Sequence, residues 1–251
     1  MPARVYAVAN QKGGVGKTTT AVNVGACLAE AGERVLLVDL DPQANATSGL
    51  GLRANGVSSH DLLDGAPLRD IVRPSGLANL DVVMAKSDLA TAAVELSARD
   101  GGERYLAEAL AGELEPYSFV FLDCPPSFGP LTVNALAAAT RALVPVQAEY
   151  YALEGLSQLL GTINLVKARL NPGLAVAGIL LTMADGRTRL AAEVEAELRR
   201  HFNELVFTTT VPRSVRLAEA PSHGLPAIAY DRRSAGAQAY WKVAMELVER
   251  S

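Results

Sequence analysis

Residues 10–20, NQKGGVGKTTT, bring together three glycines, two lysines and three threonines in eleven positions. Glycines let the backbone turn so tightly that several N–H groups point at one spot, and such a turn binds anions. A lysine and a hydroxyl directly behind the turn add a cation for phosphate oxygens and a ligand for a divalent metal ion. The segment therefore predicts a loop that holds the phosphates of a nucleotide together with Mg²⁺.

The predicted loop lies between an apolar stretch, VYAVA, and an alanine-rich stretch that begins at Lys17. A strand before such a loop and a helix after it are the usual context, because the helix N-terminus adds positive potential. We expect Lys17 to reach the β- and γ-phosphates of ATP and the Thr18 hydroxyl to bind Mg²⁺. A chance glycine-rich turn is the alternative, and the number of matching positions argues against it. The ATP-binding residues predicted from the loop are Gln11, Lys12, Gly13, Gly14, Val15, Gly16, Lys17, Thr18 and Thr19.

The loop departs from the usual spacing, G-x-x-x-x-G-K-[ST], at two adjacent positions. Gln11 stands where the first glycine belongs, and Lys12 follows it. The whole chain has five lysines, so a second lysine within this short loop is unexpected as background. A lysine that simply faces solvent is the alternative interpretation.

Acidic side chains stand where two apolar stretches end. Asp39 and Asp41 close the run VLLVDLD, and Asp123 closes FVFLD. Ligands of parallel sheets gather at the carboxyl ends of the strands, so these positions favour a metal and phosphate site over the alternative of turn or cap residues. Cys124 and Pro125 follow Asp123 where many ATPases have a glutamate that activates water, so Asp41 is the nearest candidate for that role. The predicted Mg²⁺ residues are Thr18, Asp39 and Asp123.

Short β-branched runs alternate along the chain with longer, alanine-rich amphipathic stretches. This alternation predicts an α/β fold, with a mostly parallel, twisted sheet and helices on both faces. The stretch 50–79 is rich in Gly, Asp, Arg and Ser, and we expect short helices and loops there at one edge. The predicted strands are 5–9, 34–39, 80–84, 119–123, 142–146, 175–181 and 205–208. The predicted helices are 17–31, 89–96, 103–113, 130–138, 153–170, 190–202 and 236–249.

Length and composition narrow the class of protein. With 251 residues, 49% of them hydrophobic and 20% charged, we expect a single globular domain over residues 1–251. No apolar run reaches the roughly 18 residues of a membrane span. Cys27 and Cys124 lie far apart in apolar segments, which is typical of buried thiols in a reducing compartment. The net charge of -4 argues against bulk attraction to nucleic acid, so such binding would need a local patch.

The loop sequence KGGVGKTT resembles the deviant Walker A motif of the ParA/MinD family of P-loop ATPases. The resemblance implies a P-loop NTPase fold, ATP and Mg²⁺ as cofactors, and a homodimer that closes when ATP is bound. In that dimer Lys12 would contact the phosphates held by the partner subunit, which would couple ATP occupancy to dimerisation. The resemblance also assigns the positioning of the attacking water to Asp41. The predicted catalytic residues are Lys12, Lys17 and Asp41.

Later segments, among them PVQAEYYALEGLSQL and VPRSVRLAEAPSHGLPAIAY, resemble the small chromosomal branch of ParA proteins, so the likeness spans residues 5–242. This branch implies an ATPase, slow alone and stimulated by a partner, that binds DNA without sequence preference in its ATP state. It would act with a ParB-type centromere-binding protein in chromosome or plasmid segregation, in the cytoplasm at the nucleoid. A MinD-like ATPase recruited to membranes is the alternative, but the C-terminal AYWKVAMELVERS lacks a basic face for anionic lipid. A third possibility is a nucleotide-dependent adaptor that does not hydrolyse ATP. The presence of Asp41, the residue assigned to positioning water, argues against it.

Arginines are concentrated in the last third of the chain, where acidic residues interleave with them. One interpretation of such a set is an ordinary solvated surface of mixed charge, with no binding function. The resemblance favours a DNA-binding surface, although Ser214 and Arg232 depart from the residues that the family has at those positions. The predicted DNA-binding residues are Arg187, Arg189, Arg213 and Arg216. The resemblance also implies that the adenine is enclosed by Met183, Pro212 and Arg213, with Met183 as a core residue the alternative.

Overall fold

The structure, a computed structural model, describes residues 2–149, 152–185 and 188–250. Within these residues one sheet has the strand order β3-β4-β2-β5-β1-β6-β7. All neighbouring strands are parallel except β3, which runs antiparallel to β4 at the edge. The strands are β1 (Arg4–Val8), β2 (Val35–Asp39), β3 (Arg73–Pro74), β4 (Leu80–Val83), β5 (Phe119–Asp123), β6 (Arg141–Gln147) and β7 (Ala175–Thr182).

Helices cover both faces of this sheet. The longer helices are α1 (Lys17–Glu30), α5 (Leu89–Ala98), α7 (Pro130–Ala138), α8 (Ala152–Arg169), α9 (Arg189–Phe202) and α12 (Ala235–Glu249). The shorter ones are α2 (Asn45–Gly49), α3 (Ser59–Leu63), α4 (Leu68–Ile71), α6 (Tyr105–Leu110), α10 (Val215–Glu219) and α11 (Ala227–Tyr230), with 3₁₀ turns at Asn203–Leu205 and Ala220–His223. No helix in the described part of the chain is long and apolar enough to cross a bilayer.

Side chains along each strand alternate between two buried clusters, because successive residues of a strand point to opposite faces. On β1, Val5 and Ala7 belong to one cluster, and Tyr6 and Val8 to the other. The first cluster contains side chains from α3 to α9, and the second contains side chains from α1, α2, α11 and α12. With both faces covered, β2 and β5 are buried along their whole length, which explains their continuously apolar sequences. The predicted fold class is confirmed.

The carboxyl ends of β1, β2 and β5 meet at one edge of the sheet. In the parallel register Val8 lies beside Asp123, and Asp123 lies beside Asp39. The loop that follows β1 is thereby brought next to the aspartates that end β2 and β5. This is the edge at which ligands bind in parallel sheets.

The predicted strand at 205–208 is wrong. The chain there forms the 3₁₀ turn Asn203–Leu205 and a single bridge between Ile179 and Val206. Phe207 is buried because its ring packs against Gly178, where even a Cβ would lie 2.5 Å from the ring. The N–H groups of Thr208 and Thr209 donate hydrogen bonds of 2.7 and 3.0 Å to the carboxylate of Glu246, and not to a neighbouring strand. Burial, and not strand pairing, therefore accounts for this apolar run.

The stretch 50–79 holds α3, α4 and the two-residue strand β3, and β3 lies at the sheet edge. This matches the expectation of short helices and loops at an edge. β3 itself could not be predicted, since two exposed residues carry no periodic pattern.

Candidate active site

The glycine-rich loop turns through backbone conformations that require glycine. Gly14 and Gly16 have φ angles of 76° and 86°, in the left-handed region that side chains disfavour. Helix α1 begins directly afterwards, and the N–H of Thr20 donates a 2.8 Å hydrogen bond to the carbonyl of Gly16. The loop is also tied to the end of β7, because the Thr182 hydroxyl donates a 2.7 Å hydrogen bond to the carbonyl of Val15. The loop shape is therefore held from both sides.

Lys17, the first residue of α1, is buried directly behind the loop, with 6% of its surface exposed. Its ammonium donates a 3.1 Å hydrogen bond to the carbonyl of Lys12. Burial lowers the pKa of Lys17, while the nearby Asp123 and Asp41 act in the opposite direction. The burial of this ammonium, with one hydrogen bond to a backbone carbonyl, suits it to binding an anionic ligand such as a phosphate.

A cavity of about 410 Å³ opens in front of this lysine. Most of the predicted phosphate-binding residues line it, and of the predicted Mg²⁺ residues Thr18 does. Residues from the loop form one wall and residues behind β2 form the other. The lining includes Gly13, Gly14, Lys17, Thr18, Asp41 and Gln43.

Asp39 ends β2 in a fully buried position, and both of its oxygens already accept hydrogen bonds. One oxygen accepts the Thr47 hydroxyl at 2.7 Å and the Thr47 N–H at 2.9 Å, and the other accepts the Asp41 N–H at 3.1 Å. Burial raises the pKa of Asp39 to about 6, although these hydrogen bonds act to lower it. The structure thus shows Asp39 as an anchor for the segment behind β2.

Asp123, the partner of Asp39 across the sheet, has a different environment. It is fully buried, and neither of its carboxylate oxygens has a hydrogen-bond partner among the described residues. Burial raises the pKa of Asp123 well above its ordinary value, and the charge of Asp39 raises it further. The neighbouring Thr18 and Lys17 act in the opposite direction. Two buried oxygens without partners beside a threonine hydroxyl are an arrangement that a divalent cation fits.

Asp41 is buried and lines the phosphate cavity. One of its carboxylate oxygens accepts the Gln43 N–H at 2.9 Å, and its backbone carbonyl accepts the Ala44 N–H at 2.8 Å. Ala44 has a φ of 52°, a strained conformation for a residue with a side chain. The carboxylate is thereby held at the cavity by a tight turn between β2 and α2.

A second cavity, of about 240 Å³, adjoins the first and shares Gly16, Thr19 and Met183 with it. Its lining is mainly apolar, which suits the flat ring of a base. The structure brings the three residues predicted to enclose adenine to this cavity. The two segments that carry them pair through a bridge between Ala184 and Pro212, and the Arg213 N–H donates to the Ala184 carbonyl at 3.2 Å. The lining includes Met183, Val211, Pro212, Arg213, Leu217 and Tyr240.

The first two predicted residues of the loop do not line either cavity. Gln11 and Lys12 are exposed, and the ammonium of Lys12 forms an ion pair with the carboxylate of Glu149. The position of Lys12 is fixed through its backbone. Its N–H donates a 3.0 Å hydrogen bond to the side chain of Asn10, whose amide donates a 2.7 Å hydrogen bond to the Pro145 carbonyl on β6.

The predicted DNA-binding arginines are only partly brought together. Arg216 is exposed on α10, and Arg213 is exposed just before this helix. Arg213 also lines the apolar cavity. Arg216 already pairs with Glu219 at 2.8 Å and with Asp231 at 3.4 Å. Arg189 is exposed at the start of α9. Arg187 lies outside the described residues.

Three side chains that shape the site were not predicted from the sequence: Thr47, Thr182 and Glu149. Thr182 contacts Val15, which is 167 positions away in the chain, and no local sequence pattern predicts such a contact. Thr47 lies in the polar run DPQANATS behind β2, which was the one available signal for its role.

Comparison with known proteins agrees with this geometry. A family model described as an AAA domain matches residues 3–176. The chain is 56% identical over 247 residues to the chromosome-partitioning ATPase Soj of Thermus thermophilus, covering 98% of this chain and 96% of that protein. It is 51% identical over 247 residues to the sporulation initiation inhibitor protein Soj of Bacillus subtilis, covering 97% and 98%. Among solved structures, cobyrinic acid a,c-diamide synthase from Mycobacterium smegmatis with bound ATP analog and magnesium has a TM-score of 0.84 and 39% identity, covering 98% and 95%.

Proposed function

We propose, since this chain belongs to the ParA/MinD family of ATPases, that it is a DNA-partitioning ATPase whose ATP state is a DNA-binding dimer. The chain is an ATPase with ATP and Mg²⁺ as its cofactors. The finer parts of the proposal are the dimer, the DNA and a ParB-type partner at the nucleoid. One observation carries it: Lys17, Thr18 and Asp41 converge on one cavity while the second loop lysine, Lys12, stays outside.

The residues in and around the two cavities can each be given a role in binding ATP and Mg²⁺. The loop N–H groups and Lys17 would bind the phosphates, and Met183, Pro212 and Arg213 would enclose the base. Thr18 and Asp123 would hold Mg²⁺, because Asp123 has two buried oxygens that accept no hydrogen bond from the described residues. When bound, this cation supplies positive charge to the phosphate oxygens. Asp39 would act through water or by anchoring Asp41, since its own oxygens already accept three hydrogen bonds.

Hydrolysis would depend on Asp41. Its carboxylate borders the phosphate cavity, and the Gln43 N–H holds one oxygen in place. A carboxylate in this position can orient the water that attacks the γ-phosphate. No glutamate follows Asp123 to take this role, because Cys124 occupies that position and is buried.

Dimerisation would bring Lys12 into use. An exposed cation on the loop, outside the cavity of its own subunit, could reach phosphates held by a second subunit placed against this one and stabilise their charge. The Lys12→Ala variant should therefore bind ATP with little change and remain monomeric. Gel filtration with ATP and a fluorescent-nucleotide titration would separate these two effects, and an undiminished dimer would remove Lys12 from the proposal.

DNA binding would follow from dimerisation, because two weakly basic surfaces joined in one particle make more phosphate contacts. Arg213 connects the two functions, since it is exposed and also lines the predicted base cavity. The test is binding to unrelated DNA duplexes without nucleotide, with ADP and with ATP, at salt concentrations of about 50 and 200 mM. The Asp41→Ala variant would hold the ATP state during the measurement.

Binding confined to ATP and steeply weakened by salt is the expected result. Arg213→Ala and Arg216→Ala should weaken it, whereas Arg69→Ala, which removes an exposed arginine on α4, is the matched control and should not. No DNA binding despite an intact ATP dimer would reject the DNA proposal. Binding to anionic liposomes in that case would favour the membrane-recruited alternative.

A further inference from the structure

Glu149 lies beside the phosphate loop although it belongs to neither cavity. It follows β6 by two residues, and its N–H donates a 2.8 Å hydrogen bond to the carbonyl of Gln147. β6 is the neighbour of β1 in the sheet, so the residues after both strands meet at the same edge. The carboxylate of Glu149 pairs there with the ammonium of Lys12.

The ion pair is built on a fixed backbone and not on two freely moving chains. Asn10 is buried and bridges the two segments, since its amide donates to the Pro145 carbonyl and its side-chain oxygen accepts the Lys12 N–H. The backbone of Lys12 is thus held beside β6, and the turn after β6 presents Glu149 to it. Both side chains remain about half exposed, at 52% for Lys12 and 42% for Glu149.

This arrangement conflicts with the role that the proposed function gives to Lys12. An ammonium paired with Glu149 of its own subunit is not available to phosphates in a second subunit. Each subunit must therefore break one ion pair before the closed dimer forms. The local backbone does not prevent this, because both side chains face solvent and the pair is screened there.

We propose that Glu149 is a positioning residue for Lys12 that holds the lysine within its own subunit and so raises the threshold for ATP-dependent dimerisation. The inference rests on the proposed function, in that Lys12 acts across the dimer. Glu149 opposes the closed state, so neutralising its carboxylate favours the dimer. This is the reverse of the effect expected for a residue whose role is to build the interface.

The first measurement concerns the contact itself. A zero-length carbodiimide cross-linker joins a carboxylate to an amine only where the two are in contact, and mass spectrometry identifies the linked peptides. In the nucleotide-free protein we expect a Lys12–Glu149 link within one chain, which mixed isotope-labelled protein distinguishes from a link between chains. A non-hydrolysable ATP analogue should lower its yield severalfold. No link without nucleotide, a yield that the analogue leaves unchanged, or a link that forms between chains would overturn the inference.

The second measurement is the dissociation constant of the dimer with the same analogue, by analytical ultracentrifugation. Glu149→Gln keeps the shape of the side chain, and it should tighten the dimer about two- to thirtyfold, since two exposed ion pairs need not be broken. Glu113→Gln is the matched control, because Glu113 pairs with an exposed arginine on α4 instead of with the loop. In a Lys12→Ala background, Glu149→Gln should leave the protein monomeric, whereas a role of Glu149 that does not act through Lys12 would restore part of the dimer.

The outcomes separate the two proposals. If the wild-type protein dimerises and Lys12→Ala does not, but Glu149→Gln leaves the dissociation constant unchanged or weakens the dimer, only the inference about Glu149 fails. If the wild-type protein binds the analogue and remains monomeric, the proposed dimer fails as well. A persistent cross-link under those conditions would show that Lys12 never leaves Glu149.

Discussion

The hydroxyl of Thr47 donates a 2.7 Å hydrogen bond to the buried carboxylate of Asp39, and it accepts a 2.9 Å hydrogen bond from the N–H of Ala85. One side chain on α2 therefore links the end of β2 to the segment behind β4. The other oxygen of Asp39 accepts the Asp41 N–H at 3.1 Å. Thr47 thus fixes Asp39, and Asp39 fixes the backbone of the residue proposed to position water.

Replacing Thr47 by valine should reduce turnover more than nucleotide binding. The change keeps the shape but removes the hydroxyl, so Asp39 loses a charged, buried hydrogen bond worth about 1.5–3 kcal/mol. We expect kcat to fall roughly tenfold or more, because a positioning contact of this strength is lost. Affinity for a fluorescent ATP analogue should change little, since the loop is untouched. Thr47→Ser restores the hydroxyl and should recover most of the activity; a serine variant as impaired as valine would show that packing alone matters.

Asp41→Ala should bind ATP and hydrolyse it very slowly. The carboxylate borders the phosphate cavity but makes no hydrogen bond to the loop among the described contacts, so nucleotide binding should survive its removal. Loss of a water-positioning group typically lowers the rate by roughly 10²–10⁴-fold. Single-turnover hydrolysis of radiolabelled ATP, with nucleotide retention measured in parallel, tests both parts. Wild-type turnover in this variant would exclude Asp41 from the reaction.

The phosphate loop could be predicted from the sequence because its signal is local. Glycines at fixed spacing, followed by a lysine and a threonine, define both the backbone turn and the ligand it receives. Asp39 and Asp123 could be placed together because each ends an apolar strand, and parallel strands end at a common edge. The register that sets Asp39 beside Asp123 confirms that placement.

The contacts that hold the loop could not be predicted, because each joins residues distant in the chain. Thr182 binds the loop from β7, and Glu149 meets Lys12 only because β6 adjoins β1. The apolar run around Phe207 led to a strand being predicted where none forms. Its residues are apolar because Phe207 is buried against Gly178, and a short apolar run of this kind has the same sequence pattern as a strand. Strand order and side-chain packing decide these cases, and neither is encoded in a short window.

Both cysteine thiols should be inert in the folded protein. Burial raises the pKa of Cys27 to about 12 and raises that of Cys124 still further, so neither forms the reactive thiolate near neutral pH. We expect no reaction with a thiol reagent such as dithionitrobenzoate at pH 8, and release of two equivalents after unfolding in guanidinium chloride. Rapid modification of one thiol in the native protein would contradict the closed packing around Asp123 or α1.

Asp123→Asn should stabilise the nucleotide-free protein and abolish Mg²⁺-dependent hydrolysis. Burial and the charge of Asp39 raise the pKa of Asp123 in the folded state, so the folded protein binds this proton more tightly than the unfolded chain. Its stability therefore falls as pH rises from the ordinary carboxyl range through the raised pKa, and asparagine removes that loss. At pH 8 without Mg²⁺ the melting temperature should rise by about 2–6 °C, and the gain should shrink as pH is lowered. Asp70→Asn, at an exposed site on α4, should leave it unchanged. A lower melting temperature for Asp123→Asn under these conditions would mean that the ionised carboxylate stabilises the nucleotide-free fold, and it would overturn this prediction.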